Sequence, residues 1–173
     1  MSADAVEVRE VRILEFPLDV DARAQEQHAE LMREFALLEI ASPAARDDEI
    51  PQRLRTLIAS LQQRYSGVSD DADMQRDAAR SRGETSLDMT FQAPVPAGEA
   101  CHALSALLDE ADDYCRAGDQ LLTLATAADL VAFRHWYLGE FTRQLRGESP
   151  QSWPDYVAEH QVVVSGSRAT SSR

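Results

Sequence analysis

The sequence predicts an α+β fold that is predominantly α-helical, with four main helices and a small two- or three-stranded sheet. Three observations predict it. Apolar residues recur at spacings of three and four over several long windows, as amphipathic helices require. Residues 11–16 are β-prone, and Leu87, Met89 and Phe91 alternate with Asp88 and Thr90, the pattern of a half-buried strand. A strand-like run leads into a helical one three times, over residues 11–40, 86–115 and 121–146. That arrangement suits a small sheet covered by helices.

Each element has a local reason. Pro17 ends the first strand, and Asp19 or Asp21 can cap the helix that follows. Its stripe is Val20, Ala24, His28, Leu31, Phe35 and Leu38, and Ala41-Ser42-Pro43 breaks it. A second helix starts at Asp47, Asp48 and Glu49 with Pro51 in the first turn, buries Ile50, Leu54, Leu57, Ile58, Leu61 and Tyr65, and stops at Gly67. The polar stretch 69–82 reads as a short surface helix closed by Gly83. Pro94 and Pro96 end the second strand. A helix over 100–115 then turns Leu104, Leu107, Leu108, Ala111 and Tyr114 inward. Residues 121–125 read as a short buried strand. Thr126 is placed to cap the last long helix, 127–146, whose apolar face is Leu130, Phe133, Tyr137, Phe141 and Leu145, widened by Val131, Trp136 and Leu138. Trp153, between two prolines, is expected to dock back on the core.

The 173 residues suit one domain. A flexible lead-in over 1–10, a globular body over 11–158 and a disordered tail over 159–173 are expected. The formal net charge is -13. So acidic a chain repels nucleic acid and anionic membrane surfaces, and it favours basic partners. All 17 basic residues are Arg, and the chain has no Lys and no Asn. Schiff-base and Walker-type lysine chemistry is thereby excluded. Every permanent cation is a planar fork suited to carboxylates. Cys101 and Cys115 stand fourteen apart, neither a CxxC pair nor a disulfide framework. The first ten residues hold no apolar h-region, and no apolar run approaches the ~20 residues of a membrane span. A cytoplasmic protein with two free thiols is expected.

Candidate chemistry is sparse. Asp109, Glu110, Asp112 and Asp113 form the densest acidic cluster. It lacks the Glu-x-x-His pairs of a bundle di-iron site and the Gly and terminal Glu of an EF-hand. A solvated helix face is the plain reading, and a docking patch for an Arg-rich partner, with Trp136 beside it, the sharper one. Cys101, His102, Cys115 and His135 match no zinc spacing. His135 has no nucleophile motif to serve. Arg53, Arg55, Arg64, Arg76, Arg80 and Arg82 bias the middle of the chain toward positive charge, either as partners for carboxylates on other helices or as a local anion site. No metal or cofactor is expected.

Several stretches carry a family resemblance. They are Glu15-Phe16-Pro17-Leu18, His28-Ala29-Glu30-Leu31-Met32-Arg33-Glu34-Phe35-Ala36-Leu37, and the run from Leu107 through Asp119. Leu122-Thr123-Leu124-Ala125-Thr126 and Trp136-Tyr137-Leu138-Gly139-Glu140-Phe141 continue it. Over most of residues 11–153 the chain resembles a family of small acidic actinobacterial proteins without an established biochemical role. Members tend to be encoded beside partner-switching regulators: anti-sigma kinases, their antagonists and serine phosphatases. The resemblance implies a regulatory setting and carries over no catalytic residue. The kinase-like ATPase of such a system is excluded on residues, because that fold needs an Asn to hold its metal and Gly-rich turns around the phosphates.

The sequence therefore points to a non-enzymatic regulatory or adaptor protein that works by protein–protein contact. The alternative is a small-molecule binder or unrecognised enzyme, whose pocket would gather Cys115, Arg134, His135 and Tyr137 near the last helix. Oligomeric scaffolding is a third reading, with the oligomeric state left open.

Overall fold

The computed structural model describes residues 7–41, 56, 71–117 and 126–164. The helix expected over 47–66, the strand expected over 121–125 and residues 165–173 of the tail expected over 159–173 lie outside the described residues; Glu159 and His160 of that tail belong to the helix Trp153–His160. The elements in chain order are β1 (Val8–Pro17), α1 (Leu18–Ala41), α2 (residues 71–81), β2 (Ser86–Pro94), α3 (Ala97–Ala117), α4 (Ala128–Leu145) and α5 (Trp153–His160). The class is α+β, with a two-stranded antiparallel sheet among the described residues. Five helices stand among the described residues, where four main helices were expected for the whole chain.

The extra helix, α5, has a local cause. Ser152 accepts a hydrogen bond from the Asp155 N–H at 3.3 Å, and Pro154 sits in the first turn. Both satisfy a helix start. Burial of Trp153 then holds the short helix to the core, with its ring 5.4 Å from Trp136 and 5.8 Å from Phe133. Helix α2 is not a purely surface element either: Ala72 and Ala79 are buried. Gly83 and Gly147, at φ 75° and 96°, end α2 and α4 in conformations that an L side chain adopts at a cost.

β1 and β2 pair in the register Val11↔Phe91 and Ile13↔Met89, and the register shifts between Ile13 and Phe16. Strict alternation would aim Glu15 at the core. The bulge inserts one residue and restores Phe16 to the face that already holds Val11 and Ile13. Glu15 takes the strain, with φ 52°, and its N–H donates to Asp88 Oδ1 at 2.7 Å.

Helix α4 lies across β1 and buries Leu130, Phe133, Trp136, Phe141 and Leu145. Phe16 meets Phe133 and Tyr137 edge-on, both at 5.5 Å between ring centroids. Trp136 is only 1% exposed, so it is the centre of this aromatic core and not an accessory to its rim. Helix α3 packs alongside α4. A Cβ at Gly98 would lie 3.4 Å from the Leu145 Cβ, and Thr142 Oγ1 donates to the Gly98 carbonyl at 3.1 Å. The first turn of α3 reaches α4 this closely because residue 98 has no side chain.

One polar chain joins α4 to β1 and to the segment before α5. Glu140 is 1% exposed, yet its carboxylate is fully partnered. Oε1 accepts from Arg143 Nη1 at 2.5 Å, and Oε2 accepts from Gln144 Nε2 at 2.8 Å and from the Gln151 N–H at 2.9 Å. Gln144 in turn closes the outer edge of β1. Its Oε1 accepts from the Arg12 N–H at 2.9 Å, and its Nε2 donates to the Arg12 carbonyl at 2.7 Å. The carboxamide stands where a neighbouring strand would stand. Replacing Gln144→Leu leaves two strand groups and one carboxylate oxygen short of partners. The expected loss is about 2–4 kcal/mol in urea unfolding.

Candidate functional site

The acidic cluster of α3 faces α4, and helical spacing decides which acids go there. Asp109 and Asp112, three apart, share one side of α3. Asp112 is 3% exposed. Arg134, from α4, reaches both: its Nη2 donates to Asp109 Oδ1 and to Asp112 Oδ2, the latter at 2.8 Å. His135 Nε2 lies 2.8 Å and 3.0 Å from the two oxygens of Asp109. Thr126 Oγ1 donates to Asp112 Oδ1 at 2.5 Å. Thr126 was expected to cap α4, but the cap position is Ala127, with no side-chain cap. The Thr126 hydroxyl has gone to a buried carboxylate on α3 instead.

The electrostatics follow from this packing. Burial pushes the Asp109 carboxyl up, but hydrogen bonds from His135 and Arg134, with the positive charge beside them, outweigh it and hold it below its ordinary 3.8. Glu110 and Asp113, on the outward side of the same turns, are exposed, and Asp113 accepts from Arg116 at 2.9 Å. The patch drawn from the sequence thus divides. Two of its acids knit α3 to α4, two face outward, and Trp136 lies in the core rather than beside them.

Of the alternative pocket's residues, the three whose side chains are described do not converge. Arg134 and His135 point to α3, whereas Tyr137 sits over Phe16 on the β1 side of α4. The side chain of Cys115 lies outside the described ones. Tyr137 joins a second charged cluster between α1, α2 and α4. Asp21, buried near the start of α1, accepts from Arg80 Nη2 at 2.5 Å and from Gln25 Nε2 at 2.9 Å, with Arg76 Nε at 3.8 Å. The Arg76 guanidinium lies 5.6 Å from the centre of the Phe16 ring. Arg23 Nη2 donates to the buried Asp129 at 2.7 Å. Burial pushes the Asp21 carboxyl up and only part of that is offset by Arg76, Arg80 and Gln25. It likewise pushes Tyr137 up to about 12 and the Cys101 thiol up to about 11, so both stay protonated at neutral pH.

Three of the mid-chain arginines have described partners. Arg76 and Arg80 go to Asp21 and Arg82 goes to Glu84 at 2.7 Å, while Arg53, Arg55 and Arg64 lie outside the described residues. Of the zinc-type residues, Cys101 is half-buried, His102 is exposed and His135 is held by Asp109. No group of three or more His, Cys, Asp or Glu among the described residues is arranged to hold a metal ion. No helix among them is long and apolar enough to cross a membrane. Asp21 was read only as a helix cap. Its pairing with α2 carries no sequence signal, because the contact joins residues some sixty positions apart.

No family model, curated protein or solved structure matches this chain.

Two outcomes test the α3–α4 lock. Arg134→Leu leaves the buried Asp112 carboxylate with Thr126 alone, and a loss of about 3 kcal/mol in chemical unfolding is expected. The pH dependence has a definite sign. Asp109 is held below its unfolded value, so its contribution is present above pH 3.8 and is lost as pH falls through the lower folded value. Asp109→Asn should remove that part of the acid loss, read as the difference between the two Tm-against-pH curves below pH 4.

Proposed function

We propose that this chain is a non-enzymatic regulatory or adaptor protein that acts through protein–protein contact, with a basic or Arg-rich partner. The observation that carries the reading is where its reactive side chains go. Arg134 and His135 bind α3 carboxylates, Tyr137 is packed beside Arg76, and Cys101 is a neutral, half-buried thiol. The described groups that would make a pocket near the last helix, Arg134, His135 and Tyr137, are committed to different faces of it. The surface left outward is acidic, as the charge of -13 requires, and Glu110 and Asp113 lie within it.

Such a surface steers and selects cationic partners more than it binds by area. The resemblance to proteins encoded beside partner-switching regulators suits this role and supplies the setting we propose: a cytoplasmic regulatory pathway with no nucleic acid, membrane or cofactor in the contact. The weight falls on Glu110 and Asp113 because both are exposed, whereas Asp109 and Asp112 hold the α3–α4 seam; the unfolding curve of each variant, read beside the purification, tells a lost contact from a lost fold.

The test compares the unaltered chain with a Glu110→Gln, Asp113→Asn double variant in affinity purification followed by mass spectrometry. A partner rich in Arg or Lys, lost in the double variant and weakened by salt, is the expected result. A stoichiometric small molecule retained in native mass spectrometry, with no protein partner, would overturn the reading.

A further inference from the structure

The two edges of the sheet are treated differently. β1 is closed on its outer side by the Gln144 carboxamide, which takes both the N–H and the carbonyl of Arg12. In an antiparallel pair, residues opposite each other either exchange both bonds or point both pairs of groups away. Arg12 lies opposite Thr90, so the N–H and carbonyl of Thr90 point away from β1. The same alternation turns Gln92, opposite Glu10, outward. The bond from the Val95 N–H to the Glu7 carbonyl, at 2.9 Å, fits this phase. Among the described residues nothing hydrogen-bonds those outward groups of Thr90 and Gln92, and both residues are exposed.

We infer that this outer edge of β2 pairs with the same edge of a second copy of the chain, antiparallel and centred on Thr90, joining two sheets into one of four strands. The edge suits itself. A two-fold axis at Thr90 sets Thr90 against Thr90 of the second copy, joined by two reciprocal N–H···O=C bonds, and sets Gln92 against Asp88. A carboxylate therefore meets a carboxamide donor, not another carboxylate, and Thr–Thr is a favourable cross-strand pair. Pro94 has no N–H and ends the edge on one side. Before that stop the edge carries no Lys, Arg or Pro, its one charge is Asp88, and no helix among the described residues is bonded to it. A two-stranded sheet gains most from such an extension. The opposing force is the charge of -13 on each copy, which salt screens.

Sedimentation and light scattering of the full chain, from micromolar to sub-millimolar and at low and high salt, test this. The expected result is twice the chain mass at high concentration, with a dimer that tightens as salt rises. Thr90→Pro deletes only the outward N–H and leaves the ladder to β1 intact, so a folded monomer is expected. Residue 92 supplies a second test that needs no Pro. Gln92→Glu, facing Asp88 twice across the axis, should weaken the dimer about tenfold, and Gln92→Arg should tighten it about tenfold. In hydrogen exchange, the Thr90 amide should become protected as concentration rises. A monomer under all conditions, with a fast-exchanging Thr90 amide, would overturn the inference. So would a dimer indifferent to Thr90→Pro and to the charge at residue 92.

Discussion

The arrangement of this molecule depends on a buried carboxylate. Glu140 stands in the middle of α4 with almost no access to water, and an isolated charge there would cost several kcal/mol. It is tolerated because three neighbours donate to it, from the next turn of α4 and from the backbone before α5. Its Oε2, accepting from Gln144 Nε2, orients the carboxamide that closes β1. One side chain thus sets the turn after α4, the position of α5 and the edge of the sheet. The aromatic core packs around that frame: Trp136 donates its indole N–H to the Gln151 carbonyl at 3.0 Å, at the same turn that Glu140 holds.

The remaining charges follow the same logic. In a chain whose cations are all Arg, each fork can bridge two carboxylates, and Arg134 does so across the α3–α4 seam. Arg80 joins α2 to α1 through Asp21, and Arg23 joins α1 to α4 through Asp129. Helices whose apolar stripes leave their mutual rotation loosely defined acquire a fixed register from these pairs. The side chains most suited to chemistry are therefore the ones that hold the helices in place, and outward Asp and Glu set the character of the surface. That division is what the proposed contact role rests on.

Local structure was legible in the sequence wherever the signal was local. The stripe of Leu130, Phe133, Phe141 and Leu145 has helical spacing, Leu87, Met89 and Phe91 alternate, and Gly83 and Gly147 mark helix ends; all lie as that chemistry requires. Pro17 and Pro94 close the two strands because they cannot continue a ladder. The short helix α5 was less visible, since eight residues carry little periodicity and its stability comes from Trp153 lying on Trp136.

The candidate site was legible only as a list of residue types. From the chain alone, Asp109, Glu110, Asp112 and Asp113 are one acidic run, and Arg134, His135 and Tyr137 one reactive run. Each run is divided by the 100° turn between successive helical residues and by what happens to lie opposite, which no spacing along one helix reveals. Sequence by itself determined most of the described helical and strand segments, the net negative charge and the absence of lysine chemistry, because these depend on residue type and on neighbours within a few positions. Only the tertiary structure decided that Trp136 is core, that Asp112 and Asp21 are buried ion-pair partners, and that Gln144 plays the part of a strand. Those roles belong to pairs of residues brought together from distant parts of the chain.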